Sequence, residues 1–137
     1  MQLQNLNWVP LQLQNCLREY FNILLISGIE DGTIRKNEDG DYIVALRYLP
    51  SIELVVTILA FLKCGIAYVP IAPNWPSGRI RLVLEDAKPA MVFTNTKVEL
   101  VYKAISELED ECSIPSVYQV QGFKTKSSSF QILKLRS

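Results

Sequence analysis

Few residues of this 137-residue chain are of a type and spacing that does chemistry. The cysteines are three, Cys16, Cys64 and Cys112, and no two of them stand in a CxxC pair. An odd, widely spaced set reads as free thiols in a reducing compartment, and the apolar settings of Cys16 and Cys64 make them core side chains. There is no histidine, which excludes histidine-dependent triads and histidine metal sites within these residues. Neither GxxxxGK[ST] nor GxGxxG occurs, and Ser127-Ser128-Ser129 lacks the glycines of a phosphate cradle. The charges between Glu30 and Asp41 read as a solvated face. Tyr68 is the one aromatic to weigh as a pocket residue, but its place in an apolar strand-length run favours a core role.

Composition narrows the classes further. Lysine plus arginine number 14 and aspartate plus glutamate 14, with 49% hydrophobic residues. Nothing in that balance points to nucleic acid or to an acidic substrate. Met1 to Gln14 has no basic lead into a long apolar core, so no signal peptide is expected. Ile52 to Leu62 is very apolar but far shorter than the roughly 20 residues that span a bilayer. A cytoplasmic protein without membrane contact is expected.

The informative stretch runs from Leu62 to Asn95, and its elements are sharply punctuated. Lys63 sits in the last turn of a helix and Gly65 stands where a left-handed residue closes it. Ile66 to Ile71 has the length of a buried strand. Pro70, Pro73 and Pro76 force a rigid turn, and Ser77 is placed to cap the next helix. Ile80, Val83, Leu84 and Ala87 share one face of that helix, which Pro89 ends, and Ala90 to Thr94 follows as a strand.

Leu62-Lys63-x-Gly65-x-Ala67-Tyr68-Val69-Pro70-Ile71, followed by Pro73, Pro76, Arg79-Ile80, Leu84, Asp86 and Pro89, resembles the second core motif of amino-acid adenylation domains. These belong to nonribosomal peptide synthetases and the wider adenylate-forming superfamily. Ala72 departs from the motif, which usually has Asp there. Ile43-Val44-Ala45-Leu46 with Pro50-Ser51-x-Glu53-Leu54 extends the likeness upstream, so it covers Tyr42 to Asn95 well and the flanks weakly. Within the family the likeness is to the insect enzymes that join β-alanine to amines.

The resemblance implies the N-terminal part of an adenylating fold. The parent enzyme would use ATP, Mg²⁺ and a phosphopantetheine carrier to activate a small amino acid. Its partners would be the rest of the adenylation domain and a carrier domain. In the family the phosphate loop is a Thr-Ser-Gly-rich run ending in Pro-Lys-Gly, and no such run occurs between Met1 and Ser137. The second core motif is mainly structural in the family. No catalytic, cofactor-binding or metal-binding residue is therefore carried over, and these residues alone are expected to be inactive. The alternative is a short, non-catalytic α/β module that binds or regulates.

The remaining elements fill in an α/β pattern. Leu13, Cys16, Leu17, Tyr20, Phe21 and Leu24 form the stripe of an amphipathic helix over Leu11 to Ser27, which Gly28 closes. Ile29 to Asp41 is a connector with Asp31-Gly32 and Asp39-Gly40 as turns. Tyr42 to Tyr48 is a strand, and Ser51 caps an apolar helix, Ile52 to Lys63, that expects cover on all sides. Thr96-x-x-Glu99 reads as a capping box before a helix striped by Val98, Val101, Tyr102, Ile105 and Leu108. A strand over Ser116 to Val120 follows Pro115. Residues 1–121 form the partial domain. Residues 122–137 form a basic, serine-rich linker ending in a strand that awaits a partner. Alternating strands and helices of these lengths predict βαβ units and a mostly parallel sheet flanked by helices.

Overall fold

The computed structural model describes residues 18, 22, 36, 40–63, 65–109, 114–121 and 131–136. Five strands form one sheet: β1 (Ile43–Arg47), β2 (Ala67–Pro70), β3 (Met91–Thr94), β4 (Ser116–Gln121) and β5 (Gln131–Arg136). Three helices join them: α1 (Ile52–Lys63), α2 (Ser77–Ala87) and α3 (Glu99–Ser106). The strand order is β2-β1-β3-β4-β5. β1 lies parallel to β2 and β3, and β3 parallel to β4, whereas β5 runs antiparallel to β4. The strand expected to await a partner has one in β4.

The period of two along each strand divides the core between the two faces of the sheet. Val44, Leu46, Met91, Phe93, Tyr118 and Val120 pack with Val56, Ala60 and Phe61 of α1. Ala45, Val92 and Val117 pack with Ile80 and Leu84 of α2 and Val101, Ala104 and Ile105 of α3. Phe93 joins the first cluster across three elements. It meets Phe61 edge-on at 5.1 Å and stacks on Tyr118 at 4.8 Å. Each such ring, fully buried, contributes about 1.5–3 kcal/mol.

Helix ends show where local signals succeed and where tertiary bonds override them. The Ser51 hydroxyl accepts the Leu54 N–H at 3.3 Å, the expected cap. At the other end of α1, Gly65 has φ 69°. Its N–H reaches the Leu62 carbonyl, and the Ile66 N–H reaches that of Phe61. This pair of bonds is a Schellman closure.

Ser77 does not cap α2. Pro76, extended at φ −68° and ψ 162°, takes the cap position, and no side chain bonds there. Ser77 is the buried first residue of the helix itself. Nor does Thr96 form a capping box: Val98 is the residue before α3, again without a side-chain bond. The Thr96 N–H instead meets the Thr94 hydroxyl, and its carbonyl accepts from Gln119. Tying Thr96 to the sheet removes it from the helix start.

Two readings of burial are also corrected. β2 is an edge strand with three of four residues exposed, so the run Ile66 to Ile71 is not a buried strand throughout. α1 is not covered on all sides, since Val55 is 56% and Leu62 60% exposed. The helix expected over Leu11 to Ser27 lies outside the described residues except at Arg18 and Asn22, both helical and exposed. Cys16, Cys64 and Cys112 also lie outside them.

Candidate functional site

In an open parallel sheet, ligands bind beyond the carboxyl ends of the strands, where neighbouring connections leave toward opposite faces. That point here lies between β1 and β3: α1 follows β1 on one face and α3 follows β3 on the other. The residues gathered there are polar, but they bond to one another. The Asn95 side chain accepts the Leu49 N–H at 2.9 Å and donates to the Ser51 hydroxyl at 3.1 Å, stitching the two loops together.

Arg47 is the second stitch. It ends β1 and is only 3% exposed. Nη1 donates to the Lys97 carbonyl at 2.7 Å and Nη2 to the Pro73 carbonyl at 2.9 Å. One guanidinium therefore holds the turns that lead into α2 and α3, the two helices of one face. Its Nε is buried without a hydrogen-bond partner. Burial lowers the Arg47 pKa, and the charge of Glu99 opposes that shift. The side chain works as a positively charged crosslink between main-chain segments.

The proline-rich turn held by Arg47 forms one wall of a cleft. Ala72 and Trp75 close the turn through a 3.1 Å bond from the Trp75 N–H. Arg79 of α2 stacks over the Trp75 ring at 4.0 Å. Beside this turn lies an open cleft of about 390 Å³ on the α1 side of β2. Leu46 and Tyr48 form its floor, Leu54 and Ile58 one side, and Tyr68 and Pro70 the other. The Tyr48 hydroxyl pairs with the buried Thr57 hydroxyl at 3.0 Å.

Tyr68 is thus placed differently from the core role its sequence setting favours. It is 37% exposed and lines the cleft, because β2 lies at the end of the described sheet. Sequence reasoning passed over Arg47 and Asn95. The available signal for Arg47 was a lone cation inside an apolar run, Ile43 to Leu49.

These residues do not fit ATP or Mg²⁺. The switch-point groups are used by the chain's own loops, and among the described residues no glycine-rich cradle faces them. Among the described residues no three acidic, cysteine or histidine side chains are grouped to hold a metal ion. The motif residues that can be placed are structural: Gly65 closes α1, Ile71 hydrogen-bonds to Leu46 and is buried, Arg79 stacks on Trp75, and Ile80 and Leu84 fill the core. Asp86 is exposed, and nothing in the structure accounts for its presence in the pattern.

The model of one sequence family, described as AMP-binding enzyme, matches residues 33–133. Over 76 residues the chain is 41% identical to the beta-alanyl-bioamine nonribosomal peptide synthetase ebony of Drosophila melanogaster, covering 56% of this chain and 9% of that protein. Over 54 residues it is 50% identical to the dimodular nonribosomal peptide synthase of Bacillus subtilis (strain 168), covering 39% of this chain and 2% of that one. The crystal structure of the N-terminal domain of FACL13 from Mycobacterium tuberculosis superposes with a TM-score of 0.60 at 20% identity, over 81% of this chain and 25% of that one. The last likeness concerns the fold alone. The chain spans less than a tenth of the length of these curated relatives.

Proposed function

Because the chain belongs to the AMP-binding enzyme family, its model matching residues 33–133, we propose that it is the opening portion of an amino-acid adenylation domain that activates β-alanine. The whole enzyme would use ATP and Mg²⁺ to form the aminoacyl-adenylate. It would then load a phosphopantetheine carrier and join the acid to an amine in the cytoplasm. Residues 1–121 belong to the domain's opening portion and residues 122–137 carry β5 and lead on from it. The remainder of that domain and the carrier are the partners of this reading.

The observation that carries it is the 41% identity with ebony over 76 residues, a protein whose name specifies a β-alanyl product. The second core motif supports the family level, since Gly65, Ile71, Arg79, Ile80 and Leu84 all have structural work in this chain. Residues 1–137 contribute part of a scaffold and no reacting group, so they are inactive alone in this reading.

The test has two parts. The source transcript is read past the codon for Ser137, and ATP–pyrophosphate exchange is measured on the present chain and on any longer product. A longer frame with a Thr/Ser/Gly-rich run ending in Pro-Lys-Gly, whose product exchanges with β-alanine, is the expected result. Exchange by residues 1–137 alone would overturn the inactivity, and a longer product selective for another acid would overturn the β-alanine assignment. A stop after Ser137 would favour the short binding or regulatory module.

A further inference from the structure

The start of α2 gathers hydrogen-bond donors for which the described residues supply no acceptor. Arg79 and Ile80 donate their N–H groups to the Pro76 carbonyl at 3.1 and 3.2 Å. Those of Ser77 and Gly78 have no acceptor among the described residues, as the first groups of a helix must when nothing caps them. No side chain bonds at this end, and the first turn holds no acid. The positive end of the helix dipole is therefore uncompensated. The acids of α2, Glu85 and Asp86, stand at its far end, and Glu85 lies 3.8 Å from Arg81.

Two side chains add to these main-chain donors. Ser77 is only 9% exposed, yet its hydroxyl has no hydrogen-bond partner among the described residues. The Cβ of a helical residue tilts toward the helix N-terminus, so this hydroxyl leans toward the end that carries the two free N–H groups. A hydroxyl that has lost most of its water and gained no partner carries a cost that a bound acceptor removes. Arg79 is the other. Its guanidinium stacks over the Trp75 ring at 4.0 Å, and Trp75 precedes the cap residue Pro76, so the cation is drawn back toward the N-terminal side of the helix. A cation is disfavoured there. Arg79 has Leu82 and Val83, not acids, at i+3 and i+4, so no carboxylate on its own helix face draws it away. There is room beside these groups: a Cβ at Gly78 would meet nothing within 4 Å, and Pro76, Gly78 and Arg79 are all exposed. A tetrahedral dianion offers separate oxygens to the N–H pair, the hydroxyl and the guanidinium, which a spherical monovalent ion cannot.

We propose that the N-terminus of α2, with the N–H groups of Ser77 and Gly78, the Ser77 hydroxyl and the Arg79 guanidinium, is a binding site for a phosphate group. The test is a titration of the full chain with inorganic phosphate, sodium chloride being withdrawn to hold the ionic strength constant, followed by two-dimensional NMR of the backbone amides, the Arg79 Nε–H and the Trp75 indole N–H. Saturable shifts centred on Ser77, Gly78 and Arg79 are expected. Methyl phosphate, titrated separately, tells the sources apart: equal or tighter binding assigns the site to phosphorylated ligands, and much weaker binding to the free ion. Gly78→Glu puts a carboxylate of the chain's own into the first turn and should weaken phosphate about tenfold. Arg79→Gln should weaken it about threefold or more, and Arg81→Gln, two residues further along the same helix, should leave it unchanged. Circular dichroism checks that each variant folds; if Gly78→Glu does not, the exposed Arg79→Gln carries the comparison with Arg81→Gln. Shifts that do not saturate, shifts centred away from residues 75–80, or an affinity that a folded Gly78→Glu or Arg79→Gln leaves unchanged would overturn the proposal.

Discussion

Arg47 concentrates more of the architecture than any other side chain described. It has lost water, gained two carbonyl oxygens from segments 26 and 50 residues away, and left Nε without a partner. Hydrogen bonds from a charged group contribute roughly 1.5–3 kcal/mol each against leaving the partner unpaired. A lysine carries one compact ammonium and cannot serve two carbonyls held apart by a planar fork. Arg47→Lys should therefore lose about 1–3 kcal/mol, and Arg47→Met somewhat more, since both carbonyls then lack a donor. Urea unfolding followed by circular dichroism measures this, and a midpoint equal to that of the parent chain would show that the crosslink is dispensable. The sequence shows a cation in an apolar strand but not its acceptors, because both are main-chain atoms of distant turns. Side-chain patterns carry no record of such bonds.

At the scale of elements, Gly65 and Gly78 test whether backbone conformation or space decides a glycine. A Cβ at either position would meet nothing within 4 Å. Gly65 has φ 69°, so Gly65→Ala should cost about 1 kcal/mol through conformation alone. Gly78 lies in α2 with no such φ, and Gly78→Ala should stabilise by roughly 0.5 kcal/mol. Thermal melts of the two variants should move in opposite directions, and a shared direction would mean the Schellman closure does not determine the Gly65 effect. The strands, the three helices and the mostly parallel sheet were legible because apolar periodicity sums over many residues. The caps at Ser77 and Thr96 were not. Each depends on one residue, and Pro76 in one case and the Thr94 and Gln119 side chains in the other took over the geometry. The exposure of β2 was illegible for another reason: an apolar run gives a strand's length but not its place in the order β2-β1-β3-β4-β5.

For the whole molecule the decisive quantity is the apolar surface left in water. Leu49, Val55 and Leu62 are each at least half exposed. Val55 and Leu62 lie on α1, seven residues apart, and so share one side of that helix. Exposed leucines occurring singly are ordinary, whereas a contiguous patch of several hundred Å² marks an interaction surface. The adenylation reading supplies the reason, for a sheet that opens a larger domain keeps a face for the rest of it. Isolated residues 1–137 should therefore associate as concentration rises, and sedimentation velocity between micromolar and sub-millimolar concentrations should show the mean mass increasing. The double variant Val55→Lys, Leu62→Lys places two like charges on that side of α1 without entering the core, so it should remain monomeric while keeping the parent's circular dichroism spectrum. Association that persists in the double variant would move the contact elsewhere, to the two ends of the described sheet at β2 or β5. A monomeric parent with a sharp, reversible, two-state melt would mean that this face is stable in water without cover. That outcome would remove the structural reason for expecting more protein on α1 and favour the small self-sufficient module.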